Sequence, residues 1–177
     1  SSDGKDFYCD NIDMQSTPEK LNKYFDVHVI SKKTKKVKSK QIKIKSINIS
    51  ENIFKYLIQI IKTRNETNSK YLIVSISPYT FFASLVLWIF KKKPYVYLRS
   101  NGFEEYRVLL GSTGYFIYFL MFSIISKISI LIACREHILK GKNGYTVKPS
   151  LLDEKWSANT FSSKIIENNL LYVGRIR

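Results

Sequence analysis

The sequence predicts an α/β fold, a three-layer domain with a mostly parallel sheet, and two observations carry that prediction. Short apolar runs of about seven residues alternate along the chain with segments of helical period. Within each run the apolar character is almost continuous, as in 71–77 (Tyr-Leu-Ile-Val-Ser-Ile-Ser). A strand covered on both faces by crossover helices needs apolar side chains on both faces, whereas a strand with one wet face alternates. Length and composition agree with one domain: 177 residues, 45% of them hydrophobic and 24% charged. Such a chain can bury enough surface to offset its folding entropy, which excludes disorder as its overall class.

The elements follow in order. Thr17-Pro18-Glu19 predicts a helix start, with Thr as cap and Pro at the first helical position. Residues 25–31 (Phe-Asp-Val-His-Val-Ile-Ser) read as a strand. Eight lysines follow between Lys32 and Lys45. The alternation Gln41-Ile42-Lys43-Ile44-Lys45 suits a half-exposed strand, so part of this run reads as the wet face of a sheet edge, where lysine discourages edge pairing. An anion-attracting patch is the other reading of the same lysines. Residues 51–64 predict a helix opened by Ser50, with Ile53, Leu57 and Ile61 on one stripe beside Phe54, Ile58 and Ile60. The strand 71–77 is punctuated by Pro78. Residues 79–90 are helix-like and apolar nearly all round, Lys91-Lys92-Lys93-Pro94 breaks the helix, and 95–100 is the next strand. The apolar block 115–133 splits near Ser126-Lys127 into a helix and the strand 128–134. Strands 25–31, 71–77, 95–100 and 128–134 are expected as neighbours in one sheet.

Charge narrows the partners without choosing among them. The net charge is +15, and residues 31–70 alone carry twelve bases against two acids. That surplus favours an anionic partner, whether phosphate, nucleic acid or membrane. A basic nucleic-acid-binding module is one alternative, although no helix-turn-helix, zinc-finger or aromatic-platform pattern accompanies the lysines, and no specific nucleic acid is expected. A small two-span membrane protein is another, because residues 71–90 carry no charge and 115–133 are interrupted only by Lys127. Pro78 between serines and Lys127 near mid-span argue against insertion. Peripheral contact by surplus apolar and basic side chains stays open. Cys9, Cys134, His28 and His137 follow no metal spacing, so no metal is expected, and the cysteines fit a reducing compartment. No Gly-x-Gly-x-x-Gly or Walker loop occurs, which argues against a complete dinucleotide or nucleoside-triphosphate enzyme within these residues.

The most specific signal is carboxy-terminal. Glu167-Asn168-Asn169-Leu170-Leu171-Tyr172-Val173-Gly174-Arg175-Ile176-Arg177 resembles the start of the second domain of the group 1 family of retaining, nucleotide-sugar-dependent glycosyltransferases, which pair two Rossmann-like domains in the GT-B arrangement. Two upstream stretches agree. Lys92-Lys93-Pro94-Tyr95-Val96-Tyr97-Leu98-Arg99-Ser100-Asn101-Gly102-Phe103 resembles the family's strand after Lys-x-Pro, and Ile128-Ser129-Ile130-Leu131-Ile132-Ala133-Cys134-Arg135-Glu136-His137-Ile138 resembles its later strand. Val147-Lys148-Pro149-Ser150 then looks like the family's segment of Pro followed by a small polar residue.

This resemblance implies a Rossmann-like acceptor-side domain over 1–168 and, over 169–177, the first strand of a donor-binding domain that continues past Arg177. The implied reaction moves a sugar from a nucleotide-diphosphate donor to an acceptor hydroxyl, with a lipid-linked or surface-polysaccharide acceptor, no further cofactor, and no turnover by the 177-residue piece alone. The implied location is cytoplasmic, with attachment to the inner face of an anionic membrane left open. Charge developing on the departing pyrophosphate calls for fixed cations and backbone donors. By resemblance Gly174 and Arg175 meet that diphosphate, and a guanidinium fork suits phosphate oxygens; a solvated arginine at a strand end is the competing reading. Arg99, Asn101, Gly102, Glu104, Glu105 and His137 are the acceptor-side candidates, because they stand at or beyond the carboxyl ends of strands, where open α/β sheets bind ligands. Arg99 could hold phosphate or pair with Glu104 or Glu105, and both glutamates could instead serve a helix dipole. Two departures from the family stand out. Many members have His-Gly where this chain has Asn101-Gly102, and an amide cannot titrate. The family's opening strand and glycine-rich loop are not recognisable, so either the sequence begins after that strand or the loop is atypical.

Overall fold

A computed structural model describes residues 6–9, 12–34, 40–44, 46–65 and 68–147. They form a mixed α/β domain of four helices and three small sheets. In chain order the elements are β1 (Tyr8–Cys9), α1 (Ile12–Leu21), β2 (His28–Lys32), β3 (Lys40–Gln41), β4 (Ser46–Ser50), α2 (Ile53–Lys62), β5 (Leu72–Val74), α3 (Pro78–Ile89), β6 (Tyr95–Leu98), α4 (Gly102–Ile128), β7 (Ile130–Ala133) and β8 (Gly144–Thr146), with single 3-10 turns at Thr63–Asn65 and Glu136–Leu139.

The largest sheet has the order β5-β6-β7-β8, all parallel, with Ile73 opposite Val96, Val96 opposite Leu131 and Leu98 opposite Ala133. Side chains in register share a face, and these five are all buried. Strands that advance one way across a sheet through right-handed crossovers place their helices on one side. Accordingly α3 and α4 lie side by side over this face, with α2 against α3. The core comprises the five strand residues with Tyr56, Ala83, Leu87, Phe103, Tyr118, Met121, Phe122 and Ile125. Phe103 is its aromatic hub, 4.8 Å from Tyr118 and 5.2 Å from Phe122 in edge-on contacts, an arrangement the ring quadrupoles favour. The opposite face carries Leu72, Val74, Tyr95, Tyr97, Ile130 and Ile132, half-buried or exposed, so the described residues cover one face of the sheet rather than both.

Helix ends follow local chemistry. Ser77 caps α3, accepting from the Thr80 N–H at 3.3 Å while the Thr80 hydroxyl accepts from the Ser77 N–H at 2.7 Å, and Pro78 occupies the first turn where its missing N–H costs nothing. The residues 71–90 are therefore a strand, a turn and a helix, not a continuous span. The cap of α2 is Asn52, whose Oδ1 accepts from the Lys55 N–H at 2.9 Å. Ser50, expected as that cap, instead ends β4 and donates its hydroxyl to Gln59 Oε1 at 2.9 Å.

Four further expectations are corrected. The strand at 28–32 does not join the large sheet; it pairs in parallel with β4, which the sequence reading missed because Ser-Ile-Asn-Ile-Ser offers only two apolar residues. Helix α1 begins before Thr17 and runs through Pro18, forgoing one backbone bond; Gln15 and Glu19 bind it to the backbone of Gln41 and Lys43 at 2.7 Å each. The half-exposed strand expected at 41–45 is reduced to Lys40–Gln41, paired antiparallel with β1. Helix α4 starts at Gly102 rather than near Tyr115, and β8 adds a fourth strand that the sequence did not signal.

Within α4, Gly111 has φ 65° and ψ −149°. That region is open essentially to glycine alone. The helix is thus two pieces, 102–110 and 112–128, meeting at a sharp break.

Candidate functional site

The carboxyl ends of β5 and β6 deliver Ser75, Ile76, Arg99 and Ser100 to one crevice, and the first turns of α4 add Gly102 and Glu105. Their enclosed space is about 10 Å³, room for roughly one water. It is too small to hold a sugar. Ser75 is the residue sequence reasoning missed. Its φ is 63°, in the left-handed region that non-glycine residues seldom adopt. The turn is held by the Ser75 N–H donating to the Tyr97 carbonyl at 2.8 Å and by the Thr80 hydroxyl donating to the Ser75 carbonyl at 2.9 Å. A small polar residue directly after an apolar strand was the available signal.

Asn101 stands at the cap position of α4. A capping asparagine ordinarily turns its side-chain oxygen onto an N–H of the first helical turn, as Asn52 does. Here the Asn101 backbone carbonyl accepts from the N–H groups of both Glu104 and Glu105 at 3.1 Å, while its Oδ1 is buried with no hydrogen-bond partner. A buried acceptor without a donor costs about 1–3 kcal/mol. Asn101 itself does not line the crevice, although its chain neighbours Ser100 and Gly102 do.

The other sequence candidates separate. Gly102 is buried under the Tyr118 ring, and a β-carbon there would overlap that ring, so its small size serves helix packing. Burial, with the Glu105 charge second and Tyr106 third, pushes the Tyr118 hydroxyl far above the usual phenol range, keeping it a neutral donor. Glu105 lines the crevice beside Arg99. Glu104 is exposed in the first turn of α4, where the helix dipole accounts for it. His137 is exposed on the turn after β7 and lines neither this crevice nor the groove described next. Cys134 donates its thiol to the Arg99 carbonyl at 2.9 Å, tying the ends of β6 and β7 together. Gly174 and Arg175 lie outside the described residues. Among the described residues no cluster of three His, Cys, Asp or Glu could hold a metal ion.

At the other end of the sheet lies an open groove of about 800 Å³, where Lys93, Lys127 and Lys142 stand with Ser126, Ser129 and Asn143. Segments far apart in sequence meet there because α3 and α4 both return to the amino ends of the strands.

Comparison with models of protein families, with curated proteins and with solved structures found no match to this chain.

Proposed function

We propose that this chain is the acceptor-side half of a nucleotide-sugar-dependent glycosyltransferase of the GT-B type, which works together with a donor-binding domain that residues 169–177 begin. The observation that carries the reading is the orphaned Asn101 Oδ1 at the carboxyl end of a parallel sheet. Asn101 stands between Ser100 and Gly102, which line the crevice, so a local shift that uncovers its oxygen would let a sugar hydroxyl donate to it, while Arg99 and Glu105 at the crevice supply a cation and a carboxylate toward the rest of the acceptor. The small volume of the crevice fits half of a cleft whose other wall comes from the second domain. In the sequence, the Val173-Gly174-Arg175 resemblance supplies the donor side: Arg175 neutralises charge growing on the departing diphosphate.

The test is transfer by the full enzyme, assayed against a panel of nucleotide sugars and lipid-linked acceptors. Arg175→Ala is expected to lower the rate about 10²-fold. Asn101→Ala is expected to raise the acceptor KM about fivefold, the loss matching one hydrogen bond, with a melting temperature equal to or above the parent's because the unsatisfied oxygen is gone. Unaltered kinetics in both variants, or robust turnover by residues 1–177 alone, would overturn the reading.

A further inference from the structure

Among the described residues, the outer side of α3 and α4 is apolar and uncovered. The site above makes no use of it. In α4 the inward residues Tyr118, Met121, Phe122 and Ile125 fill the core, yet Phe116, Leu120 and Ile124, one helical stripe on the other side, are exposed. At the Gly111 break Val108 and Leu109 are 86% and 74% exposed, and on α3 Trp88 and Ile89 are 56% and 67% exposed. Less than a third of the most apolar stretch of α4 is buried, so this is not the ordinary helix of a soluble core. Patches of this kind mark interaction surfaces.

Charge says what covers it. Arg107 precedes Val108 on the shorter piece of α4, Lys127 ends the longer piece that carries the stripe, and Lys127 shares a groove with Lys93 and Lys142. Lys91 and Lys93 follow directly on Trp88 and Ile89, and all four are exposed. Aromatic and aliphatic side chains bordered by cations match the boundary between acyl chains and anionic headgroups. A second copy would bring the same lysines against this face, and the chain already carries +15. By length and composition α4 could cross a membrane, but the helix breaks at Gly111 and the inner face of its longer piece, 112–128, packs into the core, which favours a surface position over spanning.

We propose that α3 and α4 form a peripheral docking face for an anionic lipid bilayer, with Val108, Leu109, Phe116 and Leu120 entering the acyl boundary while Lys93, Lys127 and Lys142 meet lipid phosphates. The proposal does not depend on sugar transfer.

Flotation of the full chain with vesicles of phosphatidylcholine alone, or with about one third phosphatidylglycerol, tests it. The chain should float with the anionic vesicles and weaken as salt is raised. Val108→Ser with Leu109→Ser should raise the lipid concentration for half-binding more than tenfold. Lys93→Gln and Lys127→Gln should each raise it about fivefold on anionic vesicles and hardly on neutral ones. All four positions are exposed, and thermal melting confirms that the variants stay folded. Absence of flotation, equal binding to both vesicle types, or full binding by the serine variant would overturn the proposal. So would a failure to float joined to concentration-dependent dimerisation, which would make the covering surface a second copy. Vesicle binding by the chain, joined to an absence of sugar transfer by the full enzyme, would defeat the proposed function and leave this inference standing.

Discussion

Replacing Gly102 by alanine tests why the first residue of α4 is glycine. The added β-carbon would fall within the Tyr118 ring, contacting Cζ, Cε2 and the hydroxyl oxygen. Tyr118 cannot step aside freely, because it packs 4.8 Å from Phe103 and 5.1 Å from Tyr106 and is only 3% exposed. Overpacking a filled core costs about 1–3 kcal/mol. Alanine's better helix propensity, about 1 kcal/mol in a helix interior, returns much less at the first helical residue, which leaves a net loss of about 1–2 kcal/mol. Urea unfolding of the Gly102→Ala variant should therefore show a midpoint lowered by about 0.5–1 M at unchanged slope. The decisive measurement is the double-mutant cycle with Tyr118→Ala. That single substitution is costly, about 3–5 kcal/mol, but in its background Gly102→Ala should be neutral or stabilising, a coupling of about 1–3 kcal/mol. Additive costs, or a neutral Gly102→Ala in the parent protein, would refute the steric explanation and return Gly102 to a role in ligand approach.

Gly111→Ala should destabilise by about 1–3 kcal/mol even though nothing stands within 4 Å of the added carbon, because the cost is the backbone conformation; thermal unfolding measures it. Burial raises the pKa of Tyr56 and Tyr106, in the latter case with help from Glu105, and that of Tyr118 most of all. A raised folded-state pKa means that the native state holds its protons longer, so stability is complete below the unfolded phenol value of about 10 and falls as pH rises beyond it. Chemical unfolding between pH 8 and 11 should show that decline, and Tyr118→Phe should flatten part of it.

The crossover segments were legible because each rests on a local rule. The apolar stretch 71–77, the Ser77-Pro78 boundary and the Lys91-Lys92-Lys93-Pro94 break lead to β5, α3 and β6 within a few residues of their observed ends, and the Ser126-Lys127 polarity marks the approach to β7. Asn101 was legible as a candidate by its position after a strand. What made it informative, an oxygen buried away from its capping bond, depends on packing and leaves no trace in sequence. The small polar residues were ambiguous for a related reason: Ser50, Asn52 and Ser75 suit caps, strand ends and turns alike, and only the surrounding chain selected among these.

By itself the amino-acid order determined the α/β class of the fold, the places of α2 and α3 and the basic, apolar surplus, since periodicity, capping and charge are short-range properties. The tertiary structure alone decided that β2 pairs with β4 instead of entering the main sheet, that Gly102 lies under Tyr118, and that Lys93, Lys127 and Lys142 meet at one groove. Those outcomes join residues 16 to 49 positions apart, or depend on which edge of a strand finds a partner. Such long-range choices are made by the competition for buried area and backbone hydrogen bonds across the whole domain, which no local pattern encodes.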